Sequence, residues 1–273
     1  ARKHNLHKWF RIDFDGISAG NAAAKLSAFD AVSMVQYNQI LSPASDCSFT
    51  PYVPSLSEMA VSSFNDPMLK DQWHYINTGS GSVANTAVAG GDIAVQDAWN
   101  LTAGDPRIIV AIVDGPVKYD HPDIAANMWK NQKEIAGNGI DDDNNGYIDD
   151  VHGINCISRN GNINWKNSAE TGHGTHVAGT VAAVNGNSTG VCGVAGGSGK
   201  GDGVRMMSCQ IFEGGTSGIE SSAIAFQYAA DNGACIAQCS YGTSSVIKDD
   251  NTYINGNKDA DIDGSPLENA ALQ

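Results

Sequence analysis

Two residues stand where side-chain chemistry is expected before any fold is known. Asp114 closes the run RIIVAIVD at residues 107–114, and a carboxylate at the end of a β-branched run lies at the carboxyl edge of a strand, where open parallel sheets collect reactive groups. His173 opens a helix in GHGTHVAGT, residues 172–180. That places its ring near the positive end of the helix dipole, which favours the neutral imidazole a general base requires. The small residues of the run let the helix approach a sheet closely. A carboxylate that fixes the tautomer of such a histidine makes the orienter and base of a nucleophilic triad. A zinc reading competes: His173 and His176, three apart on one helix face, with Asp114 as a third ligand, although zinc helices usually space histidines by four with Glu beside them. A third reading leaves these residues to packing alone.

A second cluster invites a cation. In DDDNNGYIDD, residues 141–150, Asp141, Asp143, Asn145 and Asp149 take the first, third, fifth and ninth positions of an EF-hand-like loop, with Gly146 at the sixth and Tyr147 at the carbonyl-donating seventh. His152 takes the twelfth position, so Asp149 or Asp150 must close the shell. The expectation is calcium, against a plain solvated acidic loop. Residues 259–264 (DADIDG) begin the same way, but Ser265, Pro266 and Glu268 read better as a capping box opening a helix.

The elements that must position these residues alternate. A helix over residues 92–100, a strand over 107–113, a long polar loop to about residue 171, a helix over 173–183, a strand over 204–212, a helix over 219–231 and a strand over 234–239 give the pattern of a doubly wound α/β domain with a mostly parallel sheet. Ahead of it, residues 7–15 (HKWFRIDFD) alternate as a half-buried strand does, residues 21–29 are Ala-rich and helical, and residues 31–37 (AVSMVQY) look like another strand. Residues 41–63 are rich in Ser and Pro and read as a junction. With no Lys or Arg between Lys25 and Lys70, that junction contains no dibasic processing site.

Composition narrows the partners. The net charge of −14, from 16 Lys and Arg against 30 Asp and Glu, excludes a phosphate-neutralising nucleic-acid surface. No stretch approaches the roughly 20 apolar residues of a membrane span, and residues 1–10 lack a signal-peptide core. Six cysteines without a CxxC pair make neither a zinc ribbon nor a disulfide scaffold, and are expected as small buried hydrophobes.

These motifs resemble the subtilisin-like serine proteases, the subtilases of peptidase family S8. The run VAIVD (110–114) with YDHPD (119–123) resembles the segment around the family's catalytic Asp, and GHGTHVAG (172–179) that around its catalytic His. GVA (193–195) and GACIAQCSYG (233–242) resemble downstream core strands, and EGGTSG (213–218) the glycine-rich strand flanking the substrate. The resemblance covers about residues 64–242. It implies a serine endopeptidase in which Asp114 orients His173, while the backbones of Gly214, Gly215, Gly218, Ser240, Tyr241 and Gly242 line an extended polypeptide substrate. Residues 9–37 resemble the second half of the family's propeptide. The implied organisation is a propeptide-like strand–helix–strand remnant over residues 1–40, the junction over 41–63, and the N-terminal part of the peptidase domain over 64–273. A secreted, periplasmic or cell-surface location follows from the same resemblance, with structural calcium and no organic cofactor.

Two departures carry consequences. Gly115 and Pro116 follow Asp114 where the family usually has Thr or Ser and then Gly, and a proline fixes its φ and removes an N–H just where the carboxylate must be aimed. The family's oxyanion-hole Asn and nucleophilic Ser lie well downstream of the substrate strand, and neither motif appears before Gln273. Ser244, in GTSSV, superficially resembles the nucleophile motif, but it follows the substrate strand directly and leads into polar sequence, so it reads as a loop serine. The expected chain is therefore inactive alone, its missing part supplied by the same gene product or by a second chain. The contrasting expectation is a calcium-stabilised, catalytically inactive pseudoprotease that binds peptides.

Overall fold

The structure is a computed structural model that describes residues 8–36, 41–43, 64–79, 87–214 and 218–243. In chain order the elements are α1 (Ala19–Ser27), β1 (Leu41–Pro43), α2 (Val95–Trp99), β2 (Ile109–Asp114), β3 (Gly153–Asn155), α3 (Thr171–Ala182), β4 (Arg205–Gln210), α4 (Ile219–Asp231), β5 (Ile236–Cys239) and β6 (Tyr241–Thr243). Strands β3, β4, β2 and β5 form a parallel sheet in that order, and β1 pairs with β6 in a separate antiparallel ladder. This is the α/β architecture expected for residues 107–239, with element ends moved by at most two residues and β3 added inside the stretch read as a long polar loop.

β2 sits between β4 and β5, and its alternation divides the core. Ala111 and Val113 face a cluster with Ile154, Met207, Cys209, Ala225 and Tyr228, on the side covered by α4. Val110 and Ile112 face the opposite cluster with Met206, Ala178 and Ala182, on the side covered by α3. A continuous run of Val, Ile and Ala suits such a strand because both of its faces are buried. The period of two then sends Asp114, the next even position, toward α3.

Residues 64–79 wrap onto this body as a strap. The Gln72 amide clasps the Cys192 backbone from both sides, with Oε1 accepting the N–H and Nε2 donating to the carbonyl, each at 2.8 Å. Asp66 accepts N–H bonds from Gly186 and Asn187 and lies 3.2 Å from the Cys192 thiol.

Three expectations need correction. The alternating segments at residues 7–15 and 31–37 form no strand where they are described, and Phe10, Ile12 and Phe14 are exposed. Alternation makes a strand only when a neighbour completes the ladder, and among the described residues no strand pairs with them. Of that unit only α1 forms, with Ser18 Oγ accepting the Asn21 N–H. Residues 41–43, read as junction, carry strand β1. Cys156, Cys192 and Cys209 are buried as expected, but Cys235 and Cys239 are exposed because β5 is an edge of the described sheet. The capping box at residues 265–268 and the strand reading at Tyr37 fall outside the described residues.

Candidate active site

The parity of β2 and the start of α3 bring Asp114 and His173 together at the carboxyl edge of the sheet. His173 Nδ1 lies 2.6 Å from Asp114 Oδ1, and the same oxygen accepts the Gly115 N–H at 2.6 Å. Since an ionised carboxylate only accepts, the hydrogen bond places the proton on Nδ1 and leaves Nε2 with its lone pair, the state of a general base. Asp114 is fully buried. Burial pushes its carboxyl above the usual range, against the opposing pull of the bonds from His173 and Gly115. Its second oxygen, Oδ2, is buried and has no hydrogen-bond partner among the described residues.

Pro116 does not turn the carboxylate away. The turn after Asp114 is held instead by Lys118 N–H on Thr175 Oγ1 at 3.0 Å, which ties it to the first turns of α3. Two glycines allow this closeness: a Cβ on Gly174 would stand 2.2 Å from the Gly115 carbonyl oxygen, and one on Gly115 would stand 2.4 Å from that of Glu170. Gly174→Ala is therefore expected to lower stability by about 2 kcal/mol, in the range of overpacking, and to part Asp114 from His173. A thermal melt checks the first effect, and NMR titration of the His173 ring checks the second.

Among the described residues no serine hydroxyl is bonded to His173. Ser244 lies outside the described residues. His176 is exposed, and it does not join Asp114 and His173 in a ligand group, so among the described residues the zinc reading loses its site.

Of the substrate-side residues, Gly214 is exposed with φ +65° and Gly218 caps α4, while Gly215 falls outside the described residues. Glu213, which leads into that segment, accepts from Asn164 Nδ2 at 2.8 Å and from Asn155 Nδ2 at 3.4 Å. Sequence reasoning missed this anchor, since nothing in the spacing of these residues connects them. Ser240 accepts from Gln238 Nε2 at 2.8 Å. Tyr241 and Gly242 pair antiparallel with Pro43 and Ser42, so three residues of this same chain lie along the edge expected to bind a peptide.

The acidic loop folds largely as its pattern dictates. Asp141 accepts the N–H groups of Asn145 and Gly146, and Asp143 accepts that of Asn145, which curls the first half around its carboxylates. The Asn145 side-chain oxygen takes the Tyr147 N–H at 2.8 Å. One oxygen each from Glu134, Asp141 and Asp143 lies within 4.8 Å of the others. Glu134 was missed, because it lies outside the loop pattern, and it reaches back to accept the N–H groups of Asp142, Asp143 and Asp149. Burial, reinforced by the charges of Asp150 and Asp142, pushes its carboxyl above the usual range. Asp149 turns outward from this trio to accept N–H bonds from Gly137, Asn138 and Gly139, and Asp150 points into the core, hydrogen-bonded to Tyr228. Hard carboxylate oxygens converging around one point suit Ca²⁺ rather than a thiophilic or imidazole-seeking metal.

A carboxyl-edge Asp–His pair on a doubly wound parallel sheet defines a class of hydrolase site. The sequence matches the subtilase family across residues 105–271, and the chain belongs to that family, the subtilisin-like serine proteases. It is 42% identical over 86 residues to the subtilisin-like protease 1 of Plasmodium berghei, a stretch covering 31% of this chain and 14% of that protein. It is 32% identical over 164 residues to the PC3-like endoprotease variant B of Hydra vulgaris, covering 60% of this chain and 19% of the relative. The halolysin-like extracellular serine protease Nep of Natrialba magadii is 30% identical over 148 residues, covering 54% and 23%. Among solved structures, the serine protease of Aeromonas sobria in complex with its chaperone aligns with a TM-score of 0.49 at 20% identity, over 76% of this chain and 30% of that one. The chain thus spans less than a quarter of the length of each of these three sequence relatives. Among the described residues no helix is long and apolar enough to cross a membrane.

Proposed function

We propose that the chain supplies the Asp–His half of the catalytic apparatus of a secreted subtilisin-like serine endopeptidase. The observation that carries this reading is the 2.6 Å contact between His173 Nδ1 and Asp114 Oδ1 at the carboxyl edge of the sheet. In the complete enzyme, His173 Nε2 takes the proton of a serine hydroxyl as it attacks a peptide carbonyl and returns that proton to the leaving amine. Asp114 holds the ring and stabilises the imidazolium. The serine and the oxyanion donor come from polypeptide outside the described residues, in the same gene product or in a second chain. The extracellular relative supports the secreted location.

The β1–β6 ladder supports a peptide-binding edge at Ser240, Tyr241 and Gly242, with an extended strand added to a sheet edge as the mode of recognition. With Leu41–Pro43 paired there, the chain holds the start of its own junction segment where substrate would lie. Calcium is proposed at Glu134, Asp141 and Asp143, with Asn145, Tyr147, Asp149 and Asp150 shaping the loop around it; the ion would neutralise carboxylates that otherwise repel one another. The pseudoprotease reading is favoured by one observation, the Oδ2 of Asp114, which has no hydrogen-bond partner among the described residues and lies beside Gly115 and Pro116, where the family pattern would place a hydroxyl.

Fluorophosphonate labelling of the complete gene product separates the two: covalent labelling that requires His173 supports the peptidase, and a folded, peptide-binding protein that never labels supports the pseudoprotease. The 273-residue chain alone is expected to show no peptide hydrolysis, because among the described residues no nucleophile stands beside His173, and such a base has at best a loosely held water to activate. Hydrolysis by the chain alone that disappears in Ser244→Ala would overturn this and make Ser244 the nucleophile.

A further inference from the structure

Asp150 differs from its neighbours in the acidic loop. It is fully buried, and both of its oxygens are taken by side-chain donors. Asn131 Nδ2 donates to Oδ1 at 3.0 Å, while Asn145 Nδ2 and the Tyr228 hydroxyl donate to Oδ2 at 2.8 and 2.6 Å. Tyr228 belongs to α4 and is itself buried. Its ring also meets Tyr147 of the loop edge-on, with centroids 5.2 Å apart. The second half of the loop is therefore fastened to α4 by a charge-assisted hydrogen bond and an aromatic contact. The first half carries the converging oxygens of Asp141 and Asp143. Asn131 and Asn145 bridge the two halves: Asn131 Nδ2 also reaches Asp143 Oδ2 at 3.2 Å, and the Asn145 N–H also bonds Asp141 and Asp143.

From this knot two paths lead to the cleft. β3 begins three residues after Asp150, and its Asn155 holds Glu213 at the start of the glycine-rich segment. α4 begins at the other end of that segment, next to Gly218. Glu213 and Gly218, the described residues at the two ends of that stretch, are thus held by β3 and by the start of α4, and Asp150 reaches α4 through Tyr228.

We propose that the Asp150–Tyr228 hydrogen bond couples cation occupancy of the acidic loop to the docking of α4, so that the loop and the C-terminal half of α4, where Tyr228 lies, tighten together. This rests on the calcium reading given above. Drawing Glu134, Asp141 and Asp143 onto one ion fixes Asn145 and the turn to Asp150, and a fixed Asp150 presents its carboxylate to Tyr228 in a site shielded from water, where such a bond is strong. Linkage makes the coupling reciprocal: whatever calcium contributes to α4 docking, α4 docking contributes to calcium affinity. Tyr228 is here a positioning residue, remote from the ion itself.

The test uses the full 273-residue chain, calcium alone as the probe, calorimetry for affinity and amide hydrogen exchange across residues 219–231. In the unmodified chain, calcium should slow exchange in α4 about tenfold or more. Tyr228→Phe should weaken calcium binding about tenfold, within the usual range of coupling between two sites, and should abolish the calcium-dependent slowing. Asp143→Ala should abolish both binding and slowing. A hydroxyl that served only to stabilise α4 would change exchange equally with and without calcium. Calcium that binds yet leaves α4 exchange unchanged overturns the coupling, as does a Tyr228→Phe chain whose affinity stays within twofold. No calcium binding by the unmodified chain overturns the calcium reading and the coupling with it. Exchange in the unmodified chain decides the matter even where Tyr228→Phe fails to fold.

Discussion

Combined with the serine-bearing remainder of a subtilase domain, the chain is expected to cleave a peptide, and Asp114→Asn is expected to lower kcat about 10⁴-fold, the size of effect known when a triad Asp is replaced by its amide. The loss arises from the tautomer. An Asn oxygen accepts more weakly, and its amide nitrogen presents a donor, so His173 is no longer held with its proton on Nδ1. Activity retained within tenfold would remove Asp114 from the mechanism. The same variant has a second readout, in stability. Burial raises the Asp114 carboxyl above its unfolded value, so the native state favours the protonated form. The stability this group contributes is present at low pH and is lost as pH rises through the raised value. Ionisation of this buried carboxyl therefore weakens the fold, and Asp114→Asn, which cannot ionise, should raise Tm at the upper end of the pH series, a stability gained at the expense of function. The difference should shrink as pH falls below the carboxylate range. Catalysis runs the other way, rising as pH passes through that value and Asp114 ionises. Melting curves and kcat profiles across the same pH series read both effects.

Removing calcium is the second large effect expected. Glu134, Asp141 and Asp143 hold oxygens within 4.8 Å of one another, and each carboxylate also collects backbone N–H groups that shape the loop. An ion bound about a hundredfold above its dissociation constant contributes about 2.7 kcal/mol to stability. For a domain of this size, chelation should then lower Tm by roughly 5–10 °C. Asp143→Ala should reproduce the chelated Tm and make further chelation silent. An unchanged midpoint in both experiments would leave the acidic loop as a self-supporting turn network without an ion.

Local pattern carried much of this molecule. The run IVAIVD announced a strand covered on both faces, and β2 is one. The pattern DxDxNG announced the curl of the acidic loop, because Asx side chains bond N–H groups only two to five residues away. Both signals are short-range, and so both are legible in a linear string. The alternation of residues 7–15 was equally clear and yielded no strand, since a ladder needs a second strand that periodicity does not supply. The exposure of Cys235 and Cys239 was hidden for the same reason: an apolar hexad reads alike whether its strand is central or at an edge.

The sequence by itself determined the parallel α/β pattern, the candidate pair Asp114 and His173, and an acidic loop fit for a hard cation. Tertiary structure alone decided which groups meet across long separations. It brought a Glu134 oxygen beside those of Asp141 and Asp143, turned Asp150 inward to Tyr228 seventy-eight residues away, set Glu213 on Asn155 and Asn164, and laid Leu41–Pro43 against Tyr241–Thr243. Those contacts have no local signature. They follow from strand parity, which aims alternate side chains at opposite helices, and from close packing that tolerates only glycine between Asp114 and α3.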